Sequence, residues 1–145
     1  MAEYAVTEGG ALSTSGLGSC VAVAIYEPDG PGGLLHAMLP YADTVPGACA
    51  AKCVDTGVRA LRDELLAAGA DEAELVAKLV GGSAMLDLTG PAIGDRNVVA
   101  ARETLAAHSI PVHAEDVGGK RGRSIHLSLS TGDLRVRSGD TVDIL

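Results

Sequence analysis

Two residues near the start of the chain could do nucleophilic chemistry together. Cys20 follows Gly18 and Ser19 at the head of the apolar run "CVAVAIY", and His36 lies inside the next one, "LLHAML". A thiol on a tight, glycine-flanked turn can be exposed while backbone N–H groups around Gly18 and Ser19 point at a developing oxyanion. Such a nucleophile needs a base, and His36 is the nearest imidazole in sequence. Each residue also has a plainer role. A free cysteine packs as a small hydrophobe, and a histidine in an apolar strand is often a satisfied core residue. Residue types alone leave both readings open.

Strand geometry constrains the pair. If all of Glu27 to Gly33 forms the loop, Tyr26 pairs with Leu34 and His36 lies opposite Ala24. Cys20 is then four residues further along, about 13 Å at the usual strand rise. If the chain reverses tightly around Pro28–Asp29, His36 lies directly opposite Cys20. Both registers keep the two side chains on one sheet face, because side-chain direction alternates with period two. That face is partly open, since Cys20, Ala22 and Ala24 are small. A bulge, or a bend at Gly32–Gly33, would close the longer distance.

Other candidates are weaker. Cys49 and Cys53 are four apart on a predicted helix and so share a face, but two thiols without a second pair make a poor metal site. A small-residue packing seam with Gly57 accounts for them. "DVGGKRGR" is no phosphate loop, because the upstream glycine is missing and no Ser or Thr follows Lys120. It reads as a glycine-rich turn with basic tips. His108, His113 and His126 show no ligand spacing and read as structural.

The elements that must position Cys20 and His36 follow from apolar patterning. Val21–Tyr26 reads as a strand, "EPDGPGG" as a turn-rich loop and Leu34–Leu39 as a second strand. A helix is predicted from about Pro46 to Ala68, with Pro46 in its first turn and Gly69 just past its end. Ala50, Val54, Gly57/Val58, Leu61, Leu65 and Ala68 form its apolar stripe. "ELVAKLVGG" reads as a buried strand, Arg96–His108 as a second helix with Asp95 as N-cap, and "IPVHAEDVGG" as another strand. "RSIHLSLSTGDLRVRSGD" alternates on both sides of "TGD", a hairpin signal. Strands with two interspersed helices predict an α+β fold of mixed α/β layers, in one domain over residues 1–145.

Composition narrows the function. Eleven basic against nineteen acidic residues give a formal charge of −8, which opposes a surface that tracks nucleic-acid phosphates. Phe and Trp are absent, so Ala, Val, Leu and Gly must fill the core. The longest apolar run is too short to span a bilayer, and no basic-plus-apolar leader opens the sequence, so a cytoplasmic protein without membrane insertion is expected. Three cysteines suggest reduced thiols rather than a disulfide framework.

Five segments, "LGSCVAVAIY", "GGLLHAMLP", "AKLVGGSAML", "IGDRNV" and "DVGGKRGR" followed by "TG", stand in an order and spacing that resemble the CheD family of chemoreceptor glutamine deamidases. The resemblance runs from about residue 11 to residue 138. It implies that Cys20 is the nucleophile, His36 the base, and Thr14, six residues before the cysteine, the third member. Thr14 Oγ1 would bond one imidazole nitrogen, and Cys20 and His36 would form a thiolate–imidazolium pair with a lowered thiol pKa. The oxyanion would be held by backbone N–H groups near Ser19, with Gly18 alongside. No cofactor is implied. The resemblance also implies packed β-sheets flanked by helices, as in the catalytic domain of cytotoxic necrotizing factor toxins. The implied substrates are the cytoplasmic helices of chemoreceptors, and the implied partner is the phosphatase CheC. One departure is Cys53, where many members have an aromatic residue. The alternative is an adaptor that binds CheC, with or without catalysis.

Overall fold

The computed structural model describes residues 2–84 and 92–145. Met85 and Leu86 of the "AKLVGGSAML" segment lie outside the described residues. Among the described residues nine strands run in chain order: β1 Glu3–Thr7, β2 Ala11–Leu17, β3 Val21–Tyr26, β4 Gly32–Ala37, β5 Val76–Gly81, β6 Val112–Val117, β7 Arg123–Ser128, β8 Asp133–Ser138 and β9 Thr141–Ile144. Helix α1 spans Val54–Ala67, between β4 and β5. Helix α2 spans Ile93–Ala107, between β5 and β6. The strands form two sheets, ordered β1-β4-β3-β5-β6 and β2-β7-β8-β9. This is the mixed α+β architecture that the sequence predicts, with two sheets and two helices.

β3 explains the layering. All six of its residues are buried, so both faces of the five-stranded sheet are covered. Val21, Val23 and Ile25 pack with Val58, Leu61 and Leu65 of α1 and Val98, Ala101 and Leu105 of α2. Ala22, Ala24 and Tyr26 pack with Ile125, Leu127, Leu134 and Val136 of the four-stranded sheet. Large aliphatic side chains on one sheet meet alanines on the other, which fills the interior without Phe or Trp. Each fully buried leucine here contributes about 1.5–3 kcal/mol by area.

Three boundaries differ from the sequence expectation, each for a tertiary reason. The strand expected from Leu34 to Leu39 begins at Gly32 and ends at Ala37. Gly32 and Gly33 are strand residues with both faces covered, not turn residues. A Cβ on Gly32 would sit 2.4 Å from Leu129 Cδ2, and one on Gly33 would sit 2.4 Å from Leu61 Cδ1 and 2.9 Å from Ala5 O. The loop is therefore the shorter Glu27–Pro31, closed by Glu27 N–H donating to Pro31 O at 3.0 Å.

The first helix starts at Val54, not near Pro46. The chain before it pairs with the end of β4 instead. Met38 and Leu39 N–H donate to Lys52 O, at 2.9 and 3.1 Å, and Val54 N–H donates to Leu39 O at 2.8 Å. Cys49 and Cys53 accordingly do not share a helical face: Cys49 is exposed, while Cys53 is the buried N-cap position. The far end is as expected. Gly69 adopts φ +98, and Ala70 and Gly69 N–H donate to Leu65 and Leu66 carbonyls, the two bonds of a Schellman cap. The second helix begins at Ile93 with Ala92 as N-cap. Asp95 is a first-turn residue, where its charge complements the helix dipole, and makes no cap.

The expected hairpin is present, with Ser128 paired to Asp133 across the turn Leu129–Gly132. β1, β2 and β9 had no counterpart in the sequence reading.

Adding a methyl at Gly33 tests the strand start. Gly33→Ala is expected to destabilise folding by about 1–3 kcal/mol, the usual cost of overpacking, read as a fall in the urea midpoint. An unchanged midpoint would place Gly33 in an open turn and contradict the β4 boundary.

Candidate active site

The register of β3 on β4 falls between the two that the sequence allows. Tyr26 pairs with Gly32 and His36 lies opposite Ala22. Cys20 stands one residue before β3, so it is the diagonal neighbour of His36 on the same face, about 7–8 Å away by strand geometry. That face looks toward the four-stranded sheet, from which Thr14 is supplied.

Thr14 is placed by β2 and its pairing with β7. Thr14 lies opposite Ile125 and Leu17 opposite Arg123, so β2 has one extra residue over Ser15–Gly16. This is a β-bulge, with Gly16 at φ +71. Thr14 Oγ1 and His36 Nδ1 are 2.8 Å apart. His36 is 3% exposed, and its Nε2 is buried with no hydrogen-bond partner. An orphaned buried N–H is rarer than an orphaned acceptor, which favours the tautomer with the proton on Nδ1. Nδ1–H then donates to Thr14, and Nε2 is a free lone pair on the face that Cys20 shares.

The loop carrying Cys20 is held by three consecutive carbonyls. Gly18 O accepts from Ser83 N–H at 2.9 Å, and Cys20 O accepts from Gly82 N–H at 2.8 Å. Between them, Ser19 O accepts from Asn97 Nδ2 at 2.9 Å. The same Nδ2 donates to Met38 O at 3.0 Å, two residues past His36. One fully buried amide thus ties the Cys20 loop to the chain just past the strand of His36.

The backbone amides of this loop differ in availability. Gly18 N–H is taken by Gly16 O at 3.2 Å, the Cys20 N–H bonds to its own sulfur and pulls the thiol pKa down against burial, and the Ser19 amide finds no acceptor among the described residues. Ser19 N–H is therefore open to an oxyanion and Cys20 N–H lies beside the sulfur, while Gly18 contributes through its turn and not as a donor.

Sequence reasoning missed the residues that support this loop. Gly81 has φ +111, and a Cβ there would lie 2.4 Å from Cys20 O, so the Gly–Gly after β5 is a close-approach site and not only a turn. Ser83 Oγ donates to Arg121 O and accepts from Arg123 Nη1, both at 2.7 Å. Arg123 also reaches Asp116 Oδ1 at 3.1 Å. "DVGGKRGR" is thus a buttress behind Gly82–Ser83, organised by a mostly buried Arg123. Asn97 in "IGDRNV" carried no local signal, being a polar residue inside a helical stripe. His126 bonds Ser13 Oγ at 2.7 Å on the outer face of β2–β7, away from Thr14.

Burial favours neutral forms of the pair. It pushes the Cys20 thiol above its ordinary value near 9.0. It also pushes His36 below 6.5, against the opposing pull of Glu3. Both directions run against the expected thiolate–imidazolium pair with a lowered thiol pKa, and Cys20 and His36 form no hydrogen bond with each other in this structure. Catalytic hydrogen bonds often tighten only when substrate binds, so proton transfer belongs to the attack itself. For His36 the sign of the folding linkage is clear. Its depressed pKa contributes stability that is present above 6.5 and lost as pH falls through the folded value. A cleft of about 130 Å³ opens on this site, lined by Glu3, Tyr4, Leu12, Ser13, Thr14 and His36 among others. Cys20 does not line it.

Alkylation of Cys20 by iodoacetamide, followed by peptide mass to separate it from Cys49 and Cys53, reads the thiol directly. The rate is expected to rise with a midpoint above 9.0 in the free protein. A midpoint near or below neutrality would mean a preformed ion pair.

Comparison with known proteins gives the site its context. The family model described as CheD chemotactic sensory transduction matches residues 38–138, starting just past His36. Relatives extend over the site. A protein of Haloarcula marismortui named probable chemoreceptor glutamine deamidase CheD is 47% identical, covering 99% of this chain and 86% of its own length. Proteins with that same name from Natronomonas pharaonis and Pyrococcus horikoshii are 44% and 45% identical, covering 97% and 93% of this chain. With most of its length matched in this way, the chain belongs to the CheD family.

Proposed function

We propose that this protein is a protein-glutamine deamidase acting on the cytoplasmic domains of chemoreceptors, in the cytoplasm and as a single domain. The observation that carries the proposal is the Thr14–His36 bond at 2.8 Å, which leaves Nε2 unpartnered on the face shared with Cys20. The names of the relatives supply the substrate class. Its likeness in fold to cytotoxic necrotizing factor domains, and its partnership with CheC, are proposed on family resemblance.

The chemistry balances without a metal or cofactor. As Cys20 Sγ bonds to the glutamine Cδ, the thiol proton passes to His36 Nε2. The carbonyl π electrons move to oxygen, where the amides of Ser19 and Cys20 can receive the oxyanion. Collapse breaks the C–N bond, and His36 returns its proton to the departing nitrogen, giving ammonia and a thioester. Water then attacks the thioester carbon while giving a proton to Nε2, and that proton goes to the leaving Cys20 sulfur. The products are glutamate and the original thiol. Thr14 holds the ring and its tautomer. As a neutral hydroxyl it stabilises the imidazolium less than a carboxylate would.

The test is mass spectrometry of a receptor cytoplasmic fragment after incubation with the protein. Each converted glutamine adds about one dalton. Cys20→Ala is expected to abolish conversion. Thr14→Val is expected to lower kcat by about 10- to 100-fold through misplacement of the ring, while Thr14→Ser stays within a few fold. Unchanged receptor mass, or equal conversion by Cys20→Ala, contradicts the catalytic reading and leaves a CheC-binding adaptor.

A further inference from the structure

The outer face of the four-stranded sheet carries charge that the candidate site does not use. Cross-strand pairing aligns Ser13, His126, Arg135 and Ile144 in one row, and Ser124, Arg137 and Val142 in the next. The row containing Thr14 and Ile125 points the other way, toward the interior. A shallow groove of about 310 Å³ runs over Ser124, His126, Arg135 and Arg137.

Two features mark this face. The chain carries −8 overall, yet among the described residues Arg135 and Arg137 form no ion pair. Asp133, at the other end of β8, is the carboxylate of the same parity. Beside the arginines stand exposed apolar side chains. Val142, 45% exposed, lies opposite Arg137, and Ile144, 56% exposed, lies opposite Arg135. A cationic row and an apolar row thus run side by side, about 4.8 Å apart at the usual strand spacing.

We propose that this face docks an acidic amphipathic helical segment of the substrate protein, with carboxylates on Arg135 and Arg137 and apolar side chains on Val142 and Ile144. The identity of that protein rests on the deamidase reading. The reaction supplies the charge, since each turnover replaces a neutral carboxamide by a carboxylate and the processed segment grows more anionic. The net negative charge repels such a segment, so a face that carries two unpaired arginines biases its orientation. The spacing fits as well. Arg135 and Arg137 are about 6.7 Å apart along the strand, close to the 5–6 Å or so between carboxylates at i and i+4 of a helix. Ser13, at the end of the first row, also lines the cleft that opens on His36, so a segment on this face reaches the edge of the candidate site. A nucleic acid fits less well, because the net charge opposes it and no Phe, Tyr or Trp stands in these rows for base stacking.

The experiment measures binding of a receptor cytoplasmic fragment to the Cys20→Ala protein by calorimetry. Adding Arg135→Glu and Arg137→Glu is expected to raise Kd by at least about tenfold, and Val142→Ser with Ile144→Ser by several fold. Both pairs are exposed, so unchanged melting curves establish intact folding. In the active protein the charge reversal is expected to raise KM by about tenfold and leave kcat within about twofold. A Kd unchanged by the charge reversal overturns the proposal. So does a single-stranded DNA oligonucleotide that binds more tightly than the fragment and loses affinity in the same variant. Binding through Arg135 and Arg137 without any deamidation by the wild type supports the surface while the activity reading fails. Deamidation with normal KM in the charge-reversed protein overturns the surface alone.

Discussion

The hydrogen bond between Thr14 and His36 crosses from one sheet to the other, and the site exists only while the two sheets hold their spacing. Face-to-face sheets pack about 10 Å apart, and a threonine and a histidine pointing at each other span that gap only if their surroundings fill it. Leu127, Leu134, Ile125 and Val136 do so from one side, against Ala22 and Ala24 from the other. The alanines are needed twice. They admit the facing leucines, and they leave His36 room beside Ala22. The bulge at Ser15–Gly16 completes the arrangement, because it lets Thr14 face the interior while the chain two residues later turns to cross into the other sheet.

Cys20 is governed by a second constraint, the capture of its backbone. Gly18, Ser19 and Cys20 each give their carbonyl to a donor outside the loop, and Asn97 joins that loop to the strand of His36. Fixing carbonyls fixes amides, so the Ser19 N–H and the Cys20 N–H beside the sulfur are pre-oriented. Burial then pushes the thiol pKa up and the imidazole pKa down, which favours the neutral forms. Such a pair is quiet toward solvent electrophiles and becomes reactive when a carbonyl carbon approaches the sulfur and the proton has somewhere to go.

Much of this was legible in the sequence, unevenly. The buried strands β3 and β5 and the β7–β8 hairpin could be read because their apolar runs and turn residues are local signals. β1 and β9 are edge strands of four or five residues, and β2 reads "ALSTSGL". Their pairing is set by what they lie against. Pro46 and Asp95 are genuine helix-start signals that were overridden, the first by pairing of residues 52–54 with the end of β4, the second by a helix that begins one turn earlier. Gly32 and Gly33 looked like turn punctuation and are glycine because leucines press on both faces. Cys20 and His36 were visible as candidates, but their register was not. Thr14 came from family resemblance alone. Asn97, Gly81 and Ser83 act through contacts of long sequence separation, which no local pattern reveals.

The central claim is that Thr14 sets His36 as a neutral base with its lone pair on Nε2. Nitrogen-15 NMR of the imidazole, assigned by comparison with His36→Gln, measures this directly. The account predicts, at neutral pH, a protonated Nδ1, an unprotonated Nε2 and titration below 6.5. Loss of the tautomer preference in Thr14→Val would follow. A His36 protonated on Nε2 or present as imidazolium at neutral pH would contradict it.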